Sequence, residues 1–280
     1  MSASGASREA QEAFLRAFHD RQPGVTTRAY AAGRGADGRS SYEVLADVCA
    51  PGDRVLDLGA GDGWLVDVVV QRRGVRAARI AAVEVSLGEL HACAARVPEV
   101  AAVCARAQAL PFADATFDVV LSHLAFTLMA DVDDVVREVA RVLRPGGSFA
   151  AIVGGGPKGD DAFAGFLELA RPWLARAAAT GGAVPRLGDR RARTDAGLAA
   201  LFAVARGWAA LTVDDVAVDL SGVPDDVLAR MMTAYEVAAL GEDERAMLRE
   251  AFVAEAPRWR REDGAIACTM FTRLVVATRS

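Results

Sequence analysis

The sequence predicts an α/β fold, a doubly wound and mostly parallel sheet with an antiparallel final strand and a helical lid. Three observations predict it. The first is Arg54-Val55-Leu56-Asp57-Leu58-Gly59-Ala60-Gly61-Asp62-Gly63-Trp64-Leu65. Here a short apolar run of buried-strand type leads through three glycines into a helix opening at Trp64. The second is Arg79 to Ser86, an apolar run that ends in Glu84 and is followed by a helical pattern over Leu87 to Val97. The third is Phe117 to Ser122, continuous and apolar as a central parallel strand should be. It is followed by a helical stretch after Asp131–Asp134 and a further strand over Ser148 to Val153. Strand, helix and strand in alternation make a Rossmann-like sheet.

In the first stretch, Asp57 stands near the carboxyl end of its strand, where ligands of open α/β sheets bind. Gly59, Gly61 and Gly63 permit positive φ and remove the Cβ, so a ligand can lie against the main chain. The following helix points its free N–H groups at the same spot. A dinucleotide fingerprint reads G-x-G-x-x-G. Here Trp64 stands where its third glycine would be, and a tryptophan obstructs the close helix–strand packing that glycine allows. The form D-x-G-x-G resembles instead the first motif of class I S-adenosylmethionine-dependent methyltransferases. A plain strand-turn-helix corner would explain the loop by itself, so the later motifs decide.

Glu84 at its strand end suits the two hydroxyls of a ribose, at about twenty residues from the glycine loop. It also matches the second motif of that family, an acid followed one residue later by Val85 and then Ser86. Ala107-Gln108-Ala109-Leu110-Pro111-Phe112-Ala113-Asp114-Ala115-Thr116-Phe117-Asp118-Val119-Val120 fits the pattern A-x-x-L-P-F-x-D-x-x-F-D-V-V of small-molecule methyltransferases of type 11. Glu138 to Gly147 fits E-x-x-R-V-L-R-P-G-G. The resemblance covers about residues 50 to 155. It implies S-adenosyl-L-methionine as cofactor, held by Asp57, Gly59, Ala60, Gly61, Gly63, Glu84, Val85, Ala107, Gln108 and Ser122. One departure stands out. Arg106 occupies the position of the usual adenine-reading aspartate, and arginine has no acceptor, so adenine falls to main chain near Ala107 or to Gln108.

The rest of the chain divides around that core. Residues 1–50 form an N-terminal helical arm, with a helix over Arg8 to His19 and an irregular Val25 to Arg39. A helix capped by Ser40 or Ser41 comes next. The family folds such arms over the site, and Arg28, Tyr30 and Arg34 would clamp the cofactor carboxylate or an acidic substrate. Solvated loop residues are the plain alternative. Residues 51–222 and 263–280 form the cofactor-binding core, and 223–262 an inserted helical lid, with helices over Pro224 to Leu240 and Glu242 to Arg260. Ala162 to Thr180 and Ala196 to Ala205 are further helices. Leu211 to Leu220 and Ala267 to Thr278 are strands. Met231, Met232, Tyr235 and Met247 either line an apolar pocket or pack the core.

Composition limits the chemistry. The 280 residues are 52% hydrophobic and 25% charged, with net charge −5, normal for a soluble enzyme and poorly suited to a phosphate backbone. No bilayer-length apolar run or signal h-region is seen, so the expectation is cytoplasmic. Cys49, Cys93, Cys104 and Cys268 have no metal spacing and read as free thiols. No catalytic metal and no nucleic acid or membrane partner are expected.

The resulting expectation is methyl transfer to a small-molecule acceptor, with oxygen favoured over nitrogen or carbon, in a setting such as secondary metabolism. The alternatives are a nicotinamide-dependent oxidoreductase, against which Trp64 counts, and a protein that binds the cofactor without turning it over. An oxygen acceptor needs a base. His123, just past the fourth strand, is the candidate, with pocket lining as its other reading. His19 is a second candidate, and His91 reads as structural.

Overall fold

The computed structural model describes residues 7–180, 184–204 and 207–280. The polar start at 1–6, the first three residues of the glycine- and arginine-rich loop (181–183) and Ala205 of a predicted helix lie outside them. The elements run α1 (Arg8–Arg21), α2 (Val25–Tyr30), α3 (Ser41–Ala46), β1 (Val55–Leu58), α4 (Trp64–Arg73), β2 (Ile80–Glu84), α5 (Leu87–Arg96), β3 (Ala101–Cys104) and β4 (Phe117–His123). Then come α6 (Val132–Val142), β5 (Leu143–Gly156), α7 (Ala162–Ala179), α8 (Asp195–Val204), β6 (Trp208–Asp219), α9 (Pro224–Met231), α10 (Glu242–Glu255) and β7 (Thr269–Arg279).

The seven strands lie in the order β3-β2-β1-β4-β5-β7-β6. β1 to β5 are mutually parallel, and β7 runs antiparallel to both neighbours. The fold class expected from the sequence is the one observed. Successive side chains of a strand face opposite sides, and the sheet shows it directly. Leu56, Leu58, Ala81, Val83, Val120 and Phe149 pack with the apolar stripe of α6 and with α8. Val55, Ile80, Ala82, Val119, Leu121 and Ile152 pack with α3 and α4 on the other face. Strands buried on both faces need continuous apolar sequence, and for that reason they could be read from it.

A third cluster gathers α7, α9 and α10 over the ends of β6 and β7. Phe252 stands 6.0 Å from Phe166 and 5.3 Å from Trp259 between ring centroids. Gly165 on α7 lies under Trp259, where a Cβ would come within 2.0 Å of the ring. Thus α7, which the predicted boundaries leave with the core, packs with the two helices assigned to the lid.

Several elements differ from expectation for local reasons. Val25–Tyr30 is helical, not irregular. Its Val-Thr-Thr start has weak helix propensity, and burial of Val25 and Ala29 supplies what propensity does not. The predicted helix over Pro224 to Leu240 stops at Met231, where the Thr233 hydroxyl donates to Arg230 O at 2.7 Å, and resumes as a 3-10 turn over Tyr235–Ala239. The helix from Glu242 stops at Glu255, because Pro257 two residues on cannot donate to the helical ladder. The turn expected at Arg144–Gly147 lies inside a longer extended run, with Gly146 at φ 78°. Ser40 is the N-cap of α3, and Glu43 completes a capping box.

Candidate active site

A cavity of about 920 Å³ opens at the carboxyl ends of β1, β2, β4 and β5, the size of a typical ligand site. Helix α1 and the turn Tyr235–Ala239 contribute its outer wall.

The glycine loop forms its floor. Gly59, Gly61 and Gly63 have φ of 76°, 52° and 78°, a region that side chains rarely tolerate. Space adds to the requirement at two of them. A Cβ on Gly59 would come within 2.4 Å of Ala125 Cβ, and one on Gly63 within 2.7 Å of Cys93 Sγ. The Gly59 and Ala60 N–H groups donate to Val83 O, which fastens the loop to β2.

Two carboxylates flank this loop. Glu84 accepts from Val85 N at 2.7 Å, Ser86 N at 3.1 Å and Gly61 N at 3.2 Å. Asp57 is 2% exposed, and its Oδ2 has no hydrogen-bond partner. Burial, with the nearby charges of Glu84 and Asp62, pushes Asp57 up to about 8. Asp62 is held by Thr27 Oγ1 at 2.6 Å and Arg96 Nη2 at 2.7 Å.

Of the residues singled out from sequence, Asp57, Gly59, Ala60, Gly61, Glu84, Val85, Ala107, Gln108, Tyr30 and His123 all line the cavity. Three do not. Gly63 sits behind the loop against Cys93. Ser122 is fully buried and donates to Leu58 O at 2.8 Å, tying β4 to β1. Arg34 lines a separate small cleft. Its Nη1 donates to Ala31 O and Gly33 O, and its main chain pairs with Asp219, which holds it away from the cavity. Arg106 is bound to Glu12 of α1 at 2.6 Å, so the cation at this position ties the arm to the core. Gln108 Nε2 donates to Ala130 O at 2.6 Å.

His123 is stacked on Tyr42 at 3.6 Å, with Nε2 2.8 Å from Ser41 Oγ and Nδ1 without a partner. Burial lowers it to about 3. The next residue, Leu124, holds φ 56°, a strained conformation of the kind found at ligand sites.

His19 makes a connection that only the fold reveals. Its Nδ1 is 2.8 Å from Glu89 Oε1 and its Nε2 2.8 Å from the Tyr235 hydroxyl. Glu89 also accepts from Gly24 N at 2.8 Å. One imidazole therefore joins α1, α5 and the turn Tyr235–Ala239 at the cavity wall. Glu89 carried no distinguishing signal in the sequence, since an acid three residues after Ser86 reads as an ordinary first-turn helix residue. Among the described residues no group of three or more His, Cys, Asp or Glu is placed to hold a metal ion.

Residues 56–151 match a family described as a methyltransferase domain. This stretch is a class I S-adenosylmethionine-dependent methyltransferase domain. The chain is 38% identical over 128 residues to the demethylmenaquinone methyltransferase of Corynebacterium urealyticum, covering 46% of this chain and 51% of that protein. It is 37% identical over 98 residues to the malonyl-[acyl-carrier protein] O-methyltransferase of Halorhodospira halophila, covering 34% and 32%. The chain thus spans about half the length, or less, of these curated relatives. The geranyl diphosphate C-methyltransferase of Streptomyces coelicolor, solved with S-adenosyl-L-homocysteine, shares the fold with a TM-score of 0.55 at 17% identity. That match covers 99% of this chain and 100% of the other.

The residues of the methyltransferase domain fit its cofactor. A cationic ammonium or sulfonium suits a buried carboxylate with an unsatisfied oxygen, which Asp57 supplies. The open face of Gly61, where a Cβ would meet nothing closer than 3.9 Å, leaves room against the main chain. No helix of the described residues is long and apolar enough to cross a membrane.

Proposed function

We propose that the whole chain is an S-adenosylmethionine-dependent methyltransferase of a small-molecule acceptor, with oxygen favoured over nitrogen or carbon. The observation that carries this reading is the unpartnered, buried Asp57 oxygen beside a left-handed glycine loop. When bound, the cofactor supplies an already activated methyl group, so the protein need only align, desolvate and accept a proton. Asp57 and Glu84 orient the cofactor. Gly59, Ala60, Gly61 and Val85 give it main-chain contact, and Ala107 and Gln108 flank its adenine end. Tyr30 closes the wall. The relatives include both an O- and a C-methyltransferase by name, so the preference for oxygen rests on this chain's own histidines.

His123 is proposed to hold the acceptor hydroxyl. With Nε2–H donated to Ser41, Nδ1 is left as an acceptor for that hydrogen. A group lowered to about 3 by burial is a weak base, so the proton moves to Nδ1 only as the methyl group arrives and the oxygen loses basicity. His123→Ala should lower turnover about a hundredfold or more, the lower end of what general-base catalysis contributes, with S-adenosylhomocysteine affinity unchanged. Equal turnover would remove His123 from the reaction. A small-molecule role, rather than one on nucleic acid, accords with the net charge of −5. A cytoplasmic location, also part of the proposal, accords with four free cysteines.

Calorimetric titration with S-adenosylhomocysteine, with NADH as control, tests the reading. Binding of the first alone is expected. Binding of NADH alone would revive the nicotinamide-dependent alternative and discard the methyltransferase. Cofactor binding with no turnover on any acceptor would favour a non-catalytic binding protein.

A further inference from the structure

The cavity is electrically divided. Its carboxylates Asp57, Asp62, Glu84 and Glu89 lie at the ends of β1 and β2 and on α5, while Glu12 of α1 is paired with Arg106 and Glu236 stands on the turn Tyr235–Ala239. Its arginines, Arg186, Arg190 and Arg193, lie on the segment between α7 and α8, which packs on β5 and on the turn Phe126–Leu128 after β4. β5 is two strands from β1 in the sheet, about 10 Å at the usual spacing.

The segment carrying these arginines is firmly seated. Ala192 is fully buried, and Gly188 N donates to Gln11 Oε1 of α1. Gly188 lies so close to Thr127 O that a Cβ would come within 1.8 Å of it. Arg273 Nη1 donates to Arg193 O at 2.8 Å. Within the run, Arg191 is neutralised by Asp133 at 2.6 Å and Asp189 at 2.8 Å. Arg186, Arg190 and Arg193 form no ion pair among the described residues, and all three border the cavity. Leu128 and the glycines Gly154 to Gly156, from the turn and strand on which this segment packs, give the cavity an apolar or bare wall, and Phe163 and Leu167 of α7 add to its apolar lining.

We infer that this end of the cavity is an anion subsite, and that the acceptor is an amphiphilic acid with an apolar body and a carboxylate or phosphate head. The inference rests on the methyltransferase reading for the word acceptor, but the subsite stands on the arginines alone. Three cations exceed what the single carboxylate of the cofactor requires, and they stand on the β4–β5 side, away from Asp57. Guanidinium groups match carboxylate and phosphate oxygens in two-point geometry. The apolar wall accommodates the body that such a head would carry.

The test is calorimetric titration of the full chain with octanoate, octyl phosphate and octanol, each with and without saturating S-adenosylhomocysteine. Proteins compared are the wild type, the R186A/R190A/R193A variant and the charge-retaining R186K/R190K/R193K variant. The expected result is that at least one alkyl anion binds the wild type, and octanol much less. The alanine variant should bind that anion roughly tenfold more weakly or worse, as lost charge-assisted hydrogen bonds imply. The lysine variant should recover part of the loss, and S-adenosylhomocysteine affinity should stay constant throughout. The better-bound head distinguishes carboxylate from phosphate. The subsite is overturned if neither anion binds the wild type, if octanol binds as well as the better-bound anion, or if the alanine variant binds that anion normally. It is also overturned if the alanine variant loses S-adenosylhomocysteine, since the arginines would then serve the cofactor. Failure of S-adenosylhomocysteine to bind the wild type, with anion binding intact, would strike the proposed function and leave the subsite standing.

Discussion

Asp57 is a carboxyl group whose charge is disfavoured until a cation arrives. Its value rises from 3.8 to about 8, first through burial and then through Glu84 and Asp62. Between those two values the folded protein keeps a proton that the unfolded chain has released. Asp57 therefore lowers the stability of the ligand-free protein progressively as pH rises from about 4 to 8. A cationic ligand favours the ionised form, so its binding expels that proton and strengthens as pH rises toward 8, then levels off. Asp57→Asn should remove both effects. Melting temperature and S-adenosylhomocysteine affinity, measured from pH 5 to 9 as wild type minus variant, would show it. The subtraction cancels other groups, among them His123, whose lowered value acts in the opposite sense below about 6.5. A difference that does not change with pH would refute the linkage.

At the scale of elements, the His19 junction fastens α1 and the turn Tyr235–Ala239 to α5. Phe18 adds a ring contact with Tyr235 at 4.7 Å. Removing the imidazole leaves the Glu89 carboxylate, 1% exposed, with the hydrogen bond from Gly24 N at 2.8 Å. Losing a hydrogen bond to a buried charge costs about 1.5–3 kcal/mol. Tyr235→Phe removes only the outer bond and leaves the ring packing. His19→Ala should therefore speed release of S-adenosylhomocysteine about tenfold or more by that energy, and Tyr235→Phe should do so less. Stopped-flow release rates give the comparison. Identical rates in all three proteins would mean that α1 is not fastened through this junction.

For the molecule as a whole, the cavity is bordered by parts of all three hydrophobic clusters, with Leu58 and Val83 from one, Tyr42 and Leu65 from another, and Tyr30, Phe163 and Met270 from the third. A ligand filling it would touch the sheet, α1 and the turn Tyr235–Ala239 together and so bind only the folded state. At a hundredfold excess over its dissociation constant, S-adenosylhomocysteine should stabilise the protein by about 2.7 kcal/mol, which at about 2–4 °C per kcal/mol for a chain of this size is about 5–10 °C in melting temperature. NADH should leave the melting curve unmoved. The reverse pattern in a thermal shift series would contradict the site assignment.

The sequence by itself determined the sheet and the glycine loop that floors the cavity. Buried parallel strands must be apolar along their length, and a left-handed loop must be glycine, so Val55 to Gly63, Ile80 to Glu84 and Phe117 to Ser122 announce themselves within short windows. Only the tertiary structure decided where distant residues meet. It set Arg34 apart from the cavity, gave Arg106 to Glu12, and sealed His123 against Tyr42. It brought His19 to Glu89, 70 residues away, and to Tyr235, 216 residues away. No local pattern encodes such contacts. They arise where amphipathic elements happen to bury their faces against one another, and the polar groups caught at those seams must pair there or be left unsatisfied.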